Sequence, residues 1–174
     1  LERIASVMQG VDTNYHIDTI RPLVEAAAEV CGAKYDPKSD DGRRFRRIAD
    51  HVRACTFAVH EEVYPGPKKQ GYVIKRLLRR AVLDGHQLGV KKPFLCQLVG
   101  KVAELMRPVY PEISESVNRV SRVIQSEEAN FLNTIDGGVE RLTRLFDTMK
   151  RDSRALVSGS ETAELYTTHG FPPE

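Results

Sequence analysis

Between Lys68 and Arg80 the chain carries six basic side chains (Lys68, Lys69, Lys75, Arg76, Arg79 and Arg80) and no acidic residue. Clustered ammonium and guanidinium groups without nearby carboxylates raise a local positive potential, and their natural counterpart is a polyanion. The last four lie in the run VIKRLLRRAV. At about 100° per residue this run forms an amphipathic helix. Val73, Ile74, Leu77, Leu78, Ala81 and Val82 fill one half; Lys75, Arg76, Arg79 and Arg80 fill the other, with Leu83 among them. Arg43, Arg44, Arg46 and Arg47 make a second cluster, weakened by Asp40, Asp41 and Asp50 beside it.

Other reactive residue types offer less. Cys31, Cys55 and Cys96 are odd in number, far apart and not in CxxC spacing. They fit neither a disulfide framework nor a zinc site, and they point to a reducing, cytoplasmic setting. His16, His60, His86 and His169 lack metal-ligand spacing. Asp50 and His51 are adjacent, with Arg53 near, but no motif supplies a nucleophile, so a structural polar contact is expected.

The elements that must position these groups read as helices. With 41% apolar and 29% charged residues and a net charge of +2, the 174-residue chain has an ordinary globular composition. Trp is absent, so the core must be mostly Leu, Val, Ile and Ala. No membrane span or signal peptide is visible. The first residue is Leu1, inside what reads as a helix, which points to a piece of a longer protein. That helix stops at Gly10. Asp12 or Thr13 is expected to cap a second, carrying Ile17, Ile20, Leu23, Val24, Ala27 and Val30. A third is expected from about Arg44 to His60, then a loop at 64–71, the basic helix, and a helix over Pro93 to Met106. A long helix follows from about Ser114 to Lys150, with Val117, Val120, Ile124, Phe131, Ile135, Val139, Leu142 and Phe146 as its stripe, broken by Glu128 and weakened at Gly137 and Gly138. Core packing is expected for it rather than a coiled-coil seam. The fold class is mainly α, a bundle of about five to seven helices with a long C-terminal helix.

Several stretches resemble one family in order along the chain. Leu1-Glu2-Arg3-Ile4-Ala5, Val7-Met8-Gln9 and Asn14-Tyr15 look like the end of class II motif 3 in alanyl-tRNA synthetases, G-x-G-L-E-R, V-L-Q and S-N-Y-x-x-D, with Thr13 for the Ser and Asp18 for the Asp. Ile48 to Ala54 resembles I-A-D-H-x-R-A, and Gly71 to Val82 resembles G-Y-V-L-R-R-I-I-R-R-A-V. Tyr110 to Ile113 is similar to Y-P-E-L, Glu127-Glu128 with Phe131 to E-E-x-x-F, and Tyr166 to Pro172 to L-Y-x-T-x-G-F-P. The chain departs from the family at Glu61-Glu62, where Asp-Gly is usual, at Pro65 to Gly71, where P-S-N-x-G-R-G is usual, and at Ala163, where Phe is usual.

The resemblance implies part of an enzyme that activates alanine with ATP and magnesium and transfers it to tRNA. Residues 1–10 would be the tail of motif 3, residues 11–157 a helical tRNA-recognition domain, and residues 158–174 the start of a linker toward an editing domain. The oligomerisation domain would be missing, and the piece alone would not activate alanine or hold a cofactor or metal. Arg3 matches the residue that holds ATP phosphates in the intact enzyme. The implied partner is the acceptor stem of tRNA(Ala), not DNA or a membrane. The family reads a G·U wobble pair, whose guanine 2-amino group is an unpaired donor in the wide, shallow minor groove of A-form RNA. Such a donor needs an acceptor. Asn14 is the candidate for the family's minor-groove Asn and Glu112 for its acidic partner, while Lys68, Lys69, Lys75, Arg76, Arg79 and Arg80 would take phosphates. Read from the residues alone, a helical protein-interaction module whose basic face meets an acidic partner stays open.

Overall fold

The structure is a computed structural model that describes residues 1–172. Among these are seven α-helices: α1 (Glu2–Met8), α2 (Arg21–Val30), α3 (Asp40–His60), α4 (Lys69–Gln87), α5 (Leu95–Met106), α6 (Ile113–Arg151) and α7 (Gly159–Thr167). A 3-10 turn covers Asn14–His16, and no strand occurs among the described residues. The mainly α class expected from periodicity is the class found. Two residues of the 158–174 segment, 173 and 174, lie outside the described residues. The chain separates into two compact units, Leu1–Glu128 and Ala129–Glu174, with the boundary inside α6.

Local chemistry moves several helix ends from their expected places. Thr13 caps the 3-10 turn, accepting from the Tyr15 N–H at 3.3 Å, and does not open α2. The second helix starts later, at Arg21-Pro22, because proline's fixed φ and missing N–H suit a first turn. Ile17 and Ile20 are still buried, from the turn that precedes it. The third helix starts earlier, at Asp40, since Ser39 accepts from the Gly42 N–H at 2.9 Å and Asp40 and Asp41 face the positive end of the helix dipole. It ends in a Schellman pair, Glu62 N–H to the Val59 carbonyl at 3.2 Å and Val63 N–H to the Ala58 carbonyl at 2.8 Å. This motif places Glu62 at φ +63°, a left-handed conformation in which a Cβ is crowded.

In the first unit α3 is the central rod. Phe45, Ile48, Ala49, Val52, Cys55 and Val59 are buried along it, against Leu23, Val24 and Ala27 of α2, Leu78, Ala81 and Val82 of α4, and Leu98, Val99 and Val102 of α5. Two polar ties fix the packing. Arg47 donates two bonds to Asp84, which is 1% exposed, joining α3 to α4. The second concerns α5, which has no side-chain cap of its own. Glu128, on α6 and fully buried, accepts from the N–H groups of Phe94 and Leu95, both at 2.8 Å, and Cys96 at 3.0 Å. Burial pushes its carboxyl above the usual carboxylate range, while these N–H donors pull it back down. The acid that breaks the apolar stripe in sequence is therefore the N-terminal cap of another helix.

In the second unit the buried stripe of α6 is not the expected one. Val139 and Phe146 are about half exposed, at 48% and 47%, while Met149 is buried. The reason is Gly138, onto which the Phe171 ring packs so closely that a Cβ there would lie 1.8 Å from a ring carbon. The stripe therefore centres on the glycine, and α6 runs through Gly137 and Gly138 unbroken. Ser158 and Glu161 form a capping box that starts α7.

Two stability changes are expected. Glu128→Ala leaves three helix-end N–H groups without their acceptor and should lower unfolding stability by about 3 kcal/mol; Glu128→Gln, which keeps one acceptor oxygen, should cost about half as much, both read by urea denaturation. Glu62→Gly relieves the left-handed strain and should raise stability by about 1 kcal/mol in the same assay; an unchanged or lower midpoint would mean that Glu62 is not strained.

Candidate nucleic-acid interface

The basic segment begins at a folded-back loop. Gly66 N–H donates to the Gly71 carbonyl at 2.9 Å, and a Cβ at Gly71 would come within 2.7 Å of the Tyr64 carbonyl oxygen. Only glycine leaves room for that approach. From there α4 buries Ile74, Leu78, Ala81 and Val82, as expected. Val73, expected on the apolar half, is 53% exposed and lies beside exposed Tyr72, Arg76 and Arg80.

The cationic half also divides. Lys68, Lys69, Arg76 and Arg80 are exposed, with no acidic partner among the described residues. Lys75 and Arg79 lie on the flank toward α6, where Arg79 Nε donates to Glu127 at 2.8 Å and Lys75 Nζ stands 4.0 Å from the same oxygen. The expected uniform cationic face is thus narrower, because α6 brings an acid against one edge of it. The second cluster is engaged within the fold. Arg43 pairs with Asp40 and Arg44 with Asp41, each at 2.9 Å; Arg46 donates to the Tyr35 hydroxyl and the Pro37 carbonyl, and Arg47 to Asp84.

Asn14 opens the 3-10 turn, half-buried, with its side-chain oxygen 3.3 Å from the Ser6 hydroxyl. The one proton of that hydroxyl has a nearer acceptor in the Arg3 carbonyl at 2.9 Å, which leaves the Asn14 oxygen with acceptor capacity. Glu112 is exposed in the turn just before α6. The neighbours of both segments touch α3. Glu2 of α1 pairs with Arg53 at 2.7 Å, and the Tyr110 ring packs edge-on against Phe57, with centroids 5.2 Å apart. Arg53 and Phe57 are four residues apart, one turn or about 6 Å along the helix. Asp50 and His51 make the structural contact expected of them, 3.3 Å apart, and the His51 hydrogen bond holds the Asp50 carboxyl below its usual value.

The turn that carries Asn14 is fastened by a relay. Arg46 Nη1 donates to the Tyr35 hydroxyl at 2.9 Å, and Tyr35 in turn donates to His16 Nε2 at 2.9 Å, with the tautomer assigned from this network. Burial first, then Arg21 and Arg46, hold His16 below its ordinary 6.5.

Arg3 is exposed on α1. Among the described residues no group of three or more His, Cys, Asp or Glu is placed to hold a metal ion. Burial pushes the thiols of Cys31, Cys55 and Cys96 up to about 11, 12 and 11, so all three stay protonated. Among the described residues no helix is long and apolar enough to cross a membrane.

Three residues of this region were not legible as site residues: Glu127, Tyr64 and Arg119. Arg119 donates to the Val59 carbonyl at 3.1 Å, the His60 carbonyl at 3.0 Å and the Tyr64 hydroxyl at 2.9 Å. Each partner lies more than fifty residues away, and no local spacing signals such a contact.

The family model for tRNA synthetases class II (A) matches residues 1–174, and the chain belongs to that family. Relatives within the family include alanine–tRNA ligases. The chain is 57% identical, over its whole length, to that of Rhodopirellula baltica, of which it covers 18%. It is 40% identical to those of Streptococcus pyogenes serotype M3 and Streptococcus agalactiae serotype V, covering 20% of each. The chain thus spans about a fifth of the length of these relatives.

The His16 relay gives a pH dependence. A histidine held below its unfolded value resists protonation in the fold but not in the unfolded chain, so its contribution is complete above about pH 6.5 and is lost as pH falls below it. The denaturation midpoint should therefore drop between about pH 7.5 and about pH 5.5, and His16→Gln should flatten that slope; an equal slope in the variant would place its cause elsewhere.

Proposed function

We propose that this chain is the part of an alanine–tRNA ligase that binds the acceptor stem of tRNA(Ala). The observation that carries the reading is the row of exposed cations, Lys68, Lys69, Arg76 and Arg80, on the solvent side of a helix whose other side is core. Such cations engage phosphates and position the protein without reading sequence. Lys75 and Arg79 add positive potential at the flank and reach a phosphate only by leaving Glu127. Base reading falls to Asn14 and Glu112, two acceptors beside α1 and Tyr110, which touch α3 one turn apart at Arg53 and Phe57. They would meet the guanine 2-amino donor of a G·U pair from the minor groove.

In this reading residues 1–10 are the tail of motif 3, residues 11–157 the tRNA-recognition domain, and residues 158–174 the start of a linker. The parent enzyme uses ATP and magnesium to activate alanine and transfers it to tRNA in the cytoplasm. Arg3 would hold ATP phosphates there through bidentate contacts.

Titration of the chain with an acceptor-stem RNA tests this. A stem with G·U should bind about tenfold tighter than the same stem with G·C, and Asn14→Ala should shrink that gap. Raising salt from about 50 to about 200 mM should weaken binding about a hundredfold if four phosphates are engaged and about a thousandfold if Lys75 and Arg79 join them. Equal affinity for both stems would remove the base-reading role, and an acidic peptide that displaces the RNA at equal concentration would favour a protein partner.

A further inference from the structure

The residues that lead into the 64–71 loop help to build a cleft. Tyr64 and Pro65 form one side, and Arg122, Val123, Ser126 and Glu127 of α6 the other, of a shallow, open cleft of about 340 Å³. The Tyr64 ring is 45% exposed, yet its position is fixed from behind. Arg119 holds its hydroxyl at 2.9 Å with the same guanidinium that caps the last carbonyls of α3. A ring clamped at its polar tip and open along its surface is a preorganised platform, which loses little side-chain freedom when something flat stacks on it.

The rest of the lining defines what that flat ligand carries. Val123 supplies apolar surface. Arg122 is exposed and has no acidic partner among the described residues, so it is available to an anion. Ser126 offers a hydroxyl that both donates and accepts. The cleft's one carboxylate, Glu127, already has Arg79 at 2.8 Å and Lys75 at 4.0 Å, so the surroundings are net cationic. An aromatic plane, a polar edge and a free guanidinium beside a basic helix match a base joined to a phosphate. An acidic peptide would use the cations but leave the aromatic platform empty.

We infer that this cleft binds an unpaired nucleotide of the RNA, its base stacked on Tyr64 and its phosphate on Arg122. The inference rests on the RNA-binding reading above and adds a single-strand subsite to it. The two separate cleanly, because duplex contacts come from α4 and the α3 face, whereas stacking needs a base that is free of its pair.

The test uses the full chain and two RNAs: a blunt acceptor-stem hairpin, and the same hairpin with a short 3′ overhang carrying 2-aminopurine. The overhang should tighten binding to the native chain about tenfold, and 2-aminopurine fluorescence should be quenched as it stacks. Tyr64→Ala should abolish both effects while blunt-hairpin affinity stays unchanged; Tyr64→Phe, which keeps the ring, should retain them, and Arg122→Ala should reduce the overhang's advantage. Circular dichroism checks that each variant keeps its helical content. If the native chain binds both hairpins equally well and leaves the fluorophore unquenched, the cleft reading is overturned while the duplex reading stands. If neither RNA binds, both fall. Equal loss of affinity for both RNAs in Tyr64→Ala would show a structural role for the ring and would also overturn the subsite.

Discussion

Two adjacent carboxylates on α6 hold the first unit's candidate interface in place. Glu128 turns inward and takes the three N–H groups that open α5, a helix with no other cap. Glu127 turns toward α4 and holds Arg79 beside Lys75. Burying a carboxylate is costly unless donors surround it. Here the donors are the N–H groups a helix terminus cannot satisfy internally, so one contact answers both needs. The register of α6 against α4 and α5 follows, and with it the wall of the Tyr64 cleft.

The same device recurs in other forms. Arg119 satisfies the last carbonyls of α3 and fixes Tyr64. Arg47 reaches the buried Asp84, where removal of either partner would strand a charge. These contacts settle which cations remain for a ligand. Of ten basic residues in the two clusters, four are exposed without an acidic partner among the described residues: Lys68, Lys69, Arg76 and Arg80. Net charge alone, at +2, gives no hint of that selection.

In the proposed reading this divided surface would meet RNA. Cations at the solvent side of α4 would set orientation, acceptors on segments beside α3 would read a base edge, and a clamped ring would offer a stacking plane. The three regions rest on different helices, yet all are tied to α3 or to the start of α6. Precision at a base edge requires supports of this kind, since an acceptor displaced by an ångström no longer meets its donor.

The amino-acid order determined the helices, because a period of 3.6 is a local property: Ile74, Leu78, Ala81 and Val82 could only lie on one side of α4. It also carried the family's motifs in order, and with them the identity of Arg3, Asn14 and Glu112 as residues of interest. Tertiary structure decided the rest. Whether Val73 faces the core depends on where the neighbouring helix passes, and whether Glu128 interrupts a stripe or caps a helix depends on N–H groups more than thirty residues away. The loss of Arg79 to an ion pair has the same origin, a partner 48 residues distant. Sequence specifies what a side chain can do; packing brings the partner that determines which of those things it does.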